Sequence, residues 1–287
     1  MRKAISHLDF FTKVCAFWLV FVGIMAAISG FLPLPNPTDF DLDAVGVGLF
    51  SPGHLLGTDS NGYDLLSNVV NGARISLLIA IVSVGIGGSI GSAIGIIAGF
   101  RRGKIDSGIN LVFNILLSIP NLVLGLALVA VLATSPDAST PVPSSRRIIV
   151  IIFSLTVVII PILGRIARAA TLTWVNREFV LAARSMGMRD KDIIWKHIVP
   201  NVLPAIYAVA FLAVGVVIVA EGSLALLGVG ITEGVSWGGM IARVAGEFTY
   251  SPQSMYVPVA VLAFTVISCN QIGDHLRSRL DSREGKI

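Results

Sequence analysis

Charge is scarce in this sequence. Charged residues make up 13% of its 287 positions, about half of the roughly 25% usual in a globular domain, and the mean hydropathy is +0.84. That balance excludes an ordinary soluble domain. Cysteine is scarcer still. Cys15 and Cys269 both fall inside apolar runs, which excludes a disulfide framework or a thiolate metal site and leaves two small packing residues. The four histidines, His7, His54, His197 and His275, are scattered, without the i, i+4 pairing of a metal-binding helix. The alternation typical of barrel strands is also missing, so helices are the only spanning elements open to this chain.

A phosphate-binding loop is lacking too. "AGFRRGKID" at 98–106 contains Gly103 and Lys104, but Ala98 stands where the first glycine belongs and Ile105 where a metal-holding hydroxyl belongs. No cofactor or metal is therefore expected on this chain, and no catalytic group.

What the sequence has is long apolar runs. Charge-free stretches lie at 14–32, 75–100, 109–134, 148–164, 205–230 (interrupted by Glu221) and 257–273, and a crossing helix needs about 20 apolar residues. The fourth is short, so its helix should continue past Gly164 toward Arg165. The first is longer than the roughly 7–15 residues of a signal-peptide core and is read as a retained helix. The expectation is an all-α, polytopic membrane protein with about six transmembrane helices. A short segment, 1–13, precedes a single domain, 14–287.

The basic residues orient it. With the N-terminus inside, all but Arg74, Arg146, Arg147 and Arg243 of the 21 fall on one side. Arg2, Lys3 and Lys13, Arg101 to Lys104, the segment 165–204 and the C-terminal arginines share that side. Positive-inside then places both termini and 165–204 in the cytoplasm and 33–73 outside. The net charge of +4 reflects this bias, and nothing calls for a nucleic-acid partner.

Polar and small residues recur within the runs. Gly87, Gly91, Gly95 and Gly99 form a ridge at four-residue spacing, which lets another backbone approach closely. Asn110, Asn114, Ser118 and Asn121 mark one face of the third run beside Pro120, where a kink is expected. They could line a hydrated path or bond to a neighbouring helix. Glu221 is an intramembrane carboxylate, either functional, as in proton coupling, or held by a structural partner such as a helix end.

The charged insertion "VLAARSMGMRDKDIIWKHIVPNVLP" at 180–204 differs from everything around it. Gly187 should end one short helix begun near Glu178, and a second, about 189–198, should stop at Pro200. Two short helices carrying charge suit docking to a soluble partner, or a solvated interfacial loop.

That stretch resembles the EAA loop of bacterial ABC importer permeases. Ala182, Ala183, Gly187 and Pro200 match its pattern, while Leu181 replaces the name-giving glutamate and Val199 a leucine. His197 and Asn201 match the variant of oligopeptide and dipeptide importers. "LGTDSNGYDLLSNVVNGARISLL", "GSLALLGVG", "SWGGMI" and "NQIGDHLRSRLDSR" also resemble that branch, with Tyr63 and Asn68 standing where arginine is usual. The resemblance is to the C-type membrane subunit with the type I importer permease fold, in the bacterial cytoplasmic membrane.

It implies several partners. They are a related B-type permease subunit, two ATP-binding subunits carrying ATP and magnesium, an extracytoplasmic substrate-binding protein and a peptide substrate. Glu178, Ala182, Ala183, Gly187, Asp190, His197 and Pro200 would couple to the ATPase, with "RRGKID" at 101–106 as a second contact. Asn114, Ser118, Asn121 and Glu221 would be path residues. The outer segment, with Asp39, Asp41, Asp43, Asp59 and Asp64, would receive the binding protein. A nickel chelate or glutathione fits the same architecture, and a proton-coupled transporter using Glu221 is the competing class.

Overall fold

The computed structural model describes residues 9–133, 143–231, 235–246 and 251–284, with side chains to Arg279. His7, Arg2 and Lys3 of the foregoing arguments lie outside these residues. Among the described residues the chain is helical, with three isolated β-bridges in the segment before the second long helix.

The long helix α2 (Leu65–Arg101) is the spine of the molecule. Asp64 caps it by accepting from the Ser67 amide at 2.7 Å, which satisfies one of the free N–H groups of its first turn. Its glycines press on α5 (Ser144–Val175). A Cβ at Gly91 would fall on the Ile160 carbonyl oxygen, and one at Gly95 on that of Gly164. At Gly87 and Gly99 it would sit 2.8 Å from the Thr156 oxygen and 2.9 Å from the Arg168 oxygen. Only hydrogen at these four positions permits such a crossing.

α1 (Phe10–Ile28) leans on α10 (Pro252–Glu284). The Trp18 indole donates to Thr265 at 3.0 Å and the Gln271 amide to Thr12 at 2.9 Å. Polar groups in apolar helices make such cross-helix bonds because lipid offers them no alternative. Cys15 and Cys269 are buried free thiols. Between α1 and α2 the chain folds into short turns, tied down where Gln253 donates to the Gly46 and Val47 carbonyls.

Among the described residues five helices are long and apolar enough to span a membrane, and one bent pair is long and apolar enough when taken together. That pair, α3 (Gly103–Ser118) and α4 (Asn121–Leu132), bends by 85°. The sequence suggested a kinked span over 109–134; the structure has a break. Ile119 is extended (φ −86°, ψ 128°), the conformation a following proline imposes on its neighbour. The fourth span runs the whole of α5, past Gly164. α2 starts at Leu65, so the last part of the segment 33–73 is already helical.

The segment 165–204 holds the two short helices expected of it, but the second does not end where expected. The segment is mostly helix: the end of α5, α6 (Glu178–Ser185), α7 (Asp190–Ile193), a π turn over Ile194–Ile198, and α8 (Val199–Leu224). No stop occurs at Pro200. The Val199 amide reaches back to the Ile194 carbonyl, an i→i+5 bond whose wider turn makes room for the pyrrolidine ring. The Asn201 side chain donates to the His197 carbonyl at 2.7 Å. One rod thus runs from Asp190 through α8.

α8 ends in a second π turn, Ala225–Val229, containing Gly228 at φ +83°. The short α9 (Trp237–Val244) then packs on α2, α8 and α10. The main core lies among α1, α2, α5 and α8, around Ile79, Ile151, Ile159 and Ile218.

Candidate functional site

The candidate coupling segment sits on its own small core. Val180 and Ala183 of α6, Ile193, Ile198 and Val202 pack with Ile96 and Phe100 of α2 and Ala167 of α5. α6 closes in a Schellman turn. The Met188 amide bonds to the Ala183 carbonyl at 3.1 Å and the Gly187 amide to that of Arg184 at 2.9 Å. Gly187 is at φ +77°, where glycine is favoured because a Cβ would crowd the backbone. The result is a stiff knob joined to three long helices.

The residues singled out from the sequence divide by position. Glu178, Ala182, Gly187, Asp190 and Pro200 are exposed, and His197 is half-buried with its ring 5.9 Å from Phe179. Ala183 is the exception. It is 2% exposed and faces the small core, so it shapes the knob from within and offers no contact surface. The exposed apolar groups of the knob are Phe179, Leu181, Met186 and Trp195. Leu181 stands at the motif's glutamate position, and only its exposure shows what it presents.

The turn at 101–103 is pinned to this knob. Arg102 (φ +55°) and Gly103 (φ +62°) reverse the chain, and Arg102 donates to the Asn176 side chain at 2.7 Å. Arg184 lies over the Phe100 ring at 5.1 Å, a cation–π contact. Neither Asn176 nor Phe100 stood out in the sequence, because their partners are far away along the chain.

The polar stripe of the third run does not stay on one face. Asn114 accepts from Arg165, and Ser118 donates to its own helix at Ile115, 2.7 Å away. Asn121 lies beyond the break, at the start of α4. All three are exposed.

Glu221 is elsewhere and sealed, 1% exposed. Ser236 donates to it at 2.7 Å and Ser76 at 3.4 Å. Both serines in turn accept from the first turn of α9, from the Gly239 amide at 3.0 Å and the Trp237 amide at 3.1 Å. The hydroxyls thus link the free N–H groups of a helix start to the Glu221 carboxyl group. Gly222 and Gly238 let the two helices meet there.

On the other end of the molecule, two of the five acids are buried and tied into the fold. Asp64 caps α2 and pairs with His54 at 2.9 Å. Asp59 accepts from the Asn61 and Tyr63 amides, both at 2.9 Å, and lies 3.6 Å from Arg243. Asp39, Asp41 and Asp43 remain exposed. Tyr63 and Asn68, the positions where arginine is usual, both meet Arg243: its guanidinium lies 4.4 Å from the Tyr63 ring centre and 3.5 Å from the Asn68 oxygen. Here the arginine comes from α9.

A family model described as binding-protein-dependent transport system inner membrane component matches residues 91–286. The chain belongs to that family. It is 31% identical to the glutathione transport system permease protein GsiD of Pectobacterium atrosepticum, over 92% of this chain and 85% of that protein. It is 30% identical to the dipeptide transport system permease protein DppC of Alkalihalophilus pseudofirmus, over 94% and 86%. The oligopeptide transport system permease protein OppC of Haemophilus influenzae is 35% identical, over 80% and 71%. In fold the permease resembles the MetNI methionine ABC transporter solved facing inward, with TM-score 0.61 at 21% identity, over 75% of this chain and 97% of that one. The helical architecture is thus that of ABC importer permeases. Members are multi-span transporter subunits of the inner membrane, not enzymes, and work with ATP-binding and substrate-binding partners.

Proposed function

We propose that this permease is the C-type membrane subunit of an ABC importer for peptides, paired with a related B-type subunit. Two partner subunits hydrolyse ATP with magnesium, and an extracytoplasmic protein delivers the substrate. The names of the dipeptide and oligopeptide relatives support the substrate class.

One observation carries the mechanism. The knob of α6 and α7 presents Phe179, Leu181, Met186 and Trp195 outward while Val180, Ala183, Ile193 and Ile198 lock it to α2, α5 and α8. A partner gripping the exposed side chains would move the spans directly, because a packed core transmits displacement instead of absorbing it. With the knob cytoplasmic, as the basic residues argue, the turns before α2 face outward. Their exposed Asp39, Asp41 and Asp43 are then the surface for the binding protein. Asn114, Ser118 and Asn121, exposed beside the α3–α4 break, are the candidate path residues. Glu221 supports the wall of that path from within. Family membership leaves the proton-coupled reading without support.

A second reading follows from the glutathione permease relative: a γ-linked tripeptide in place of ordinary peptides. Proteoliposomes holding the full complex, given ATP and loaded binding protein, separate the two. The expected outcome is ATP-dependent uptake of a labelled dipeptide or oligopeptide, undiminished by excess glutathione. Preferential uptake of glutathione supports the second reading, and ATP-independent uptake contradicts both.

A further inference from the structure

α3 is attached to the body of the protein in an unusual way. Among its described residues only Phe113 is buried, with its ring against Gly164 of α5. Leu111, Val112 and Ile115 are exposed. Apart from that one wedge, α3 is held to α5 by polar rungs. Arg168 grips Asp106 with both ends of its fork, Nε to Oδ1 at 2.5 Å and Nη2 to Oδ2 at 2.7 Å. Arg165 donates to Asn114 two turns further along, and Arg102 donates to Asn176 at the turn that opens α3. Asn110 steadies Asp106 by donating to its side chain at 2.7 Å and its carbonyl at 2.8 Å.

The two ends of α3 differ from its middle. At one end lies the reversed turn of Arg102 and Gly103, and at the other the 85° break at Ile119 and Pro120. The break has no continuous helical hydrogen bonding, since proline supplies no amide. A bidentate Arg–carboxylate pair, by contrast, fixes both separation and orientation. The stiff part of the assembly is therefore α3 together with the α5 end that leads into the knob. The compliant part is the joint to α4.

We propose that Asp106 and Arg168 are positioning residues for transport: their ion pair makes α3 a lever that turns with α5 and swings about the α3–α4 break. The inference rests on the importer reading and names how knob motion reaches the path. When the knob is displaced, α3 follows through its rungs, and the exposed Asn114 and Ser118 move relative to Asn121 across the break.

The test uses the complete reconstituted complex with binding protein and measures assembly, ATP hydrolysis and uptake together. Asp106→Asn and Arg168→Lys remove the bidentate pair while keeping size or charge. Both should assemble and hydrolyse ATP, but move about tenfold less substrate per ATP, within the span usual for coupling between sites. The double swap Asp106→Arg with Arg168→Asp should recover most of that ratio. Arg165→Met, which removes the outer rung to Asn114 from the α5 side, should lower it severalfold. An unchanged substrate-to-ATP ratio in the single variants overturns the lever. So does a parallel fall of assembly, hydrolysis and uptake that the swap does not restore, since that marks the pair as plain structural glue. A failed importer reading shows differently, as absence of ATP-dependent uptake in the unaltered complex.

Discussion

Two residues show how single side chains serve this permease. Glu221 was conspicuous in the sequence as an acid in an apolar run, but its partners Ser76 and Ser236 were not. Ser76 lies 145 positions away, and a serine in a membrane helix carries no label saying what it faces. Hydrogen-bonded through both serines to the start of α9, the carboxyl group reads as a structural clasp. Glu221→Gln should retain ATP-driven uptake that is insensitive to collapse of the proton gradient when ATP is maintained. Glu221→Leu leaves two buried hydroxyls short of an acceptor, at about 1–3 kcal/mol each, and should lower the thermal midpoint of the purified complex. Uptake that vanishes in Glu221→Gln, or follows the gradient, contradicts the clasp. Gly187 was legible as a helix end, because a lone glycine just past a short helix is a sequence signature of such a turn. Gly187→Val adds about 1–2 kcal/mol of local strain. It should cut uptake and retention of the ATP-binding subunits in a pull-down, whereas Gly187→Asn should be mild.

At the level of helices, the same residue type could be read in one place and not in another. Pro120 broke its span and Pro200 did not. Ile119 is free to extend, while Pro200 follows a rod held by Ile193, Ile198 and Val202 and is accommodated by a π turn. That packing comes from α2 and α5, far off in sequence, so proline alone could not foretell the outcome. The glycine ridge was readable because its period matches a helix face, but its partner was not. Gly95→Ala places a methyl on the Gly164 carbonyl and should destabilise the permease by about 1–3 kcal/mol, seen as reduced membrane-inserted protein and a lower thermal midpoint. Gly85→Ala, with no atom within 4 Å of the added carbon, is the matched control and should behave as wild type. Equal behaviour of the pair would contradict the ridge crossing.

For the molecule as a whole, hydropathy was enough to find the spans, because lipid penalises charge wherever it occurs. The division into two hydrophobic clusters was not visible. The charged insertion at 180–204 stood apart in the sequence, but nothing there showed that its apolar residues form a second core that seats the knob. The central claim is that this knob takes up motion from an ATP-binding partner while the opposite end meets the binding protein. A photo-crosslinking side chain at Met186 or at Asp41, both exposed, tests it most directly in membranes holding the whole complex. The account predicts an adduct with the ATP-binding subunit from position 186 and with the binding protein from position 41. An adduct with the binding protein from 186, or with the ATP-binding subunit from 41, would contradict it.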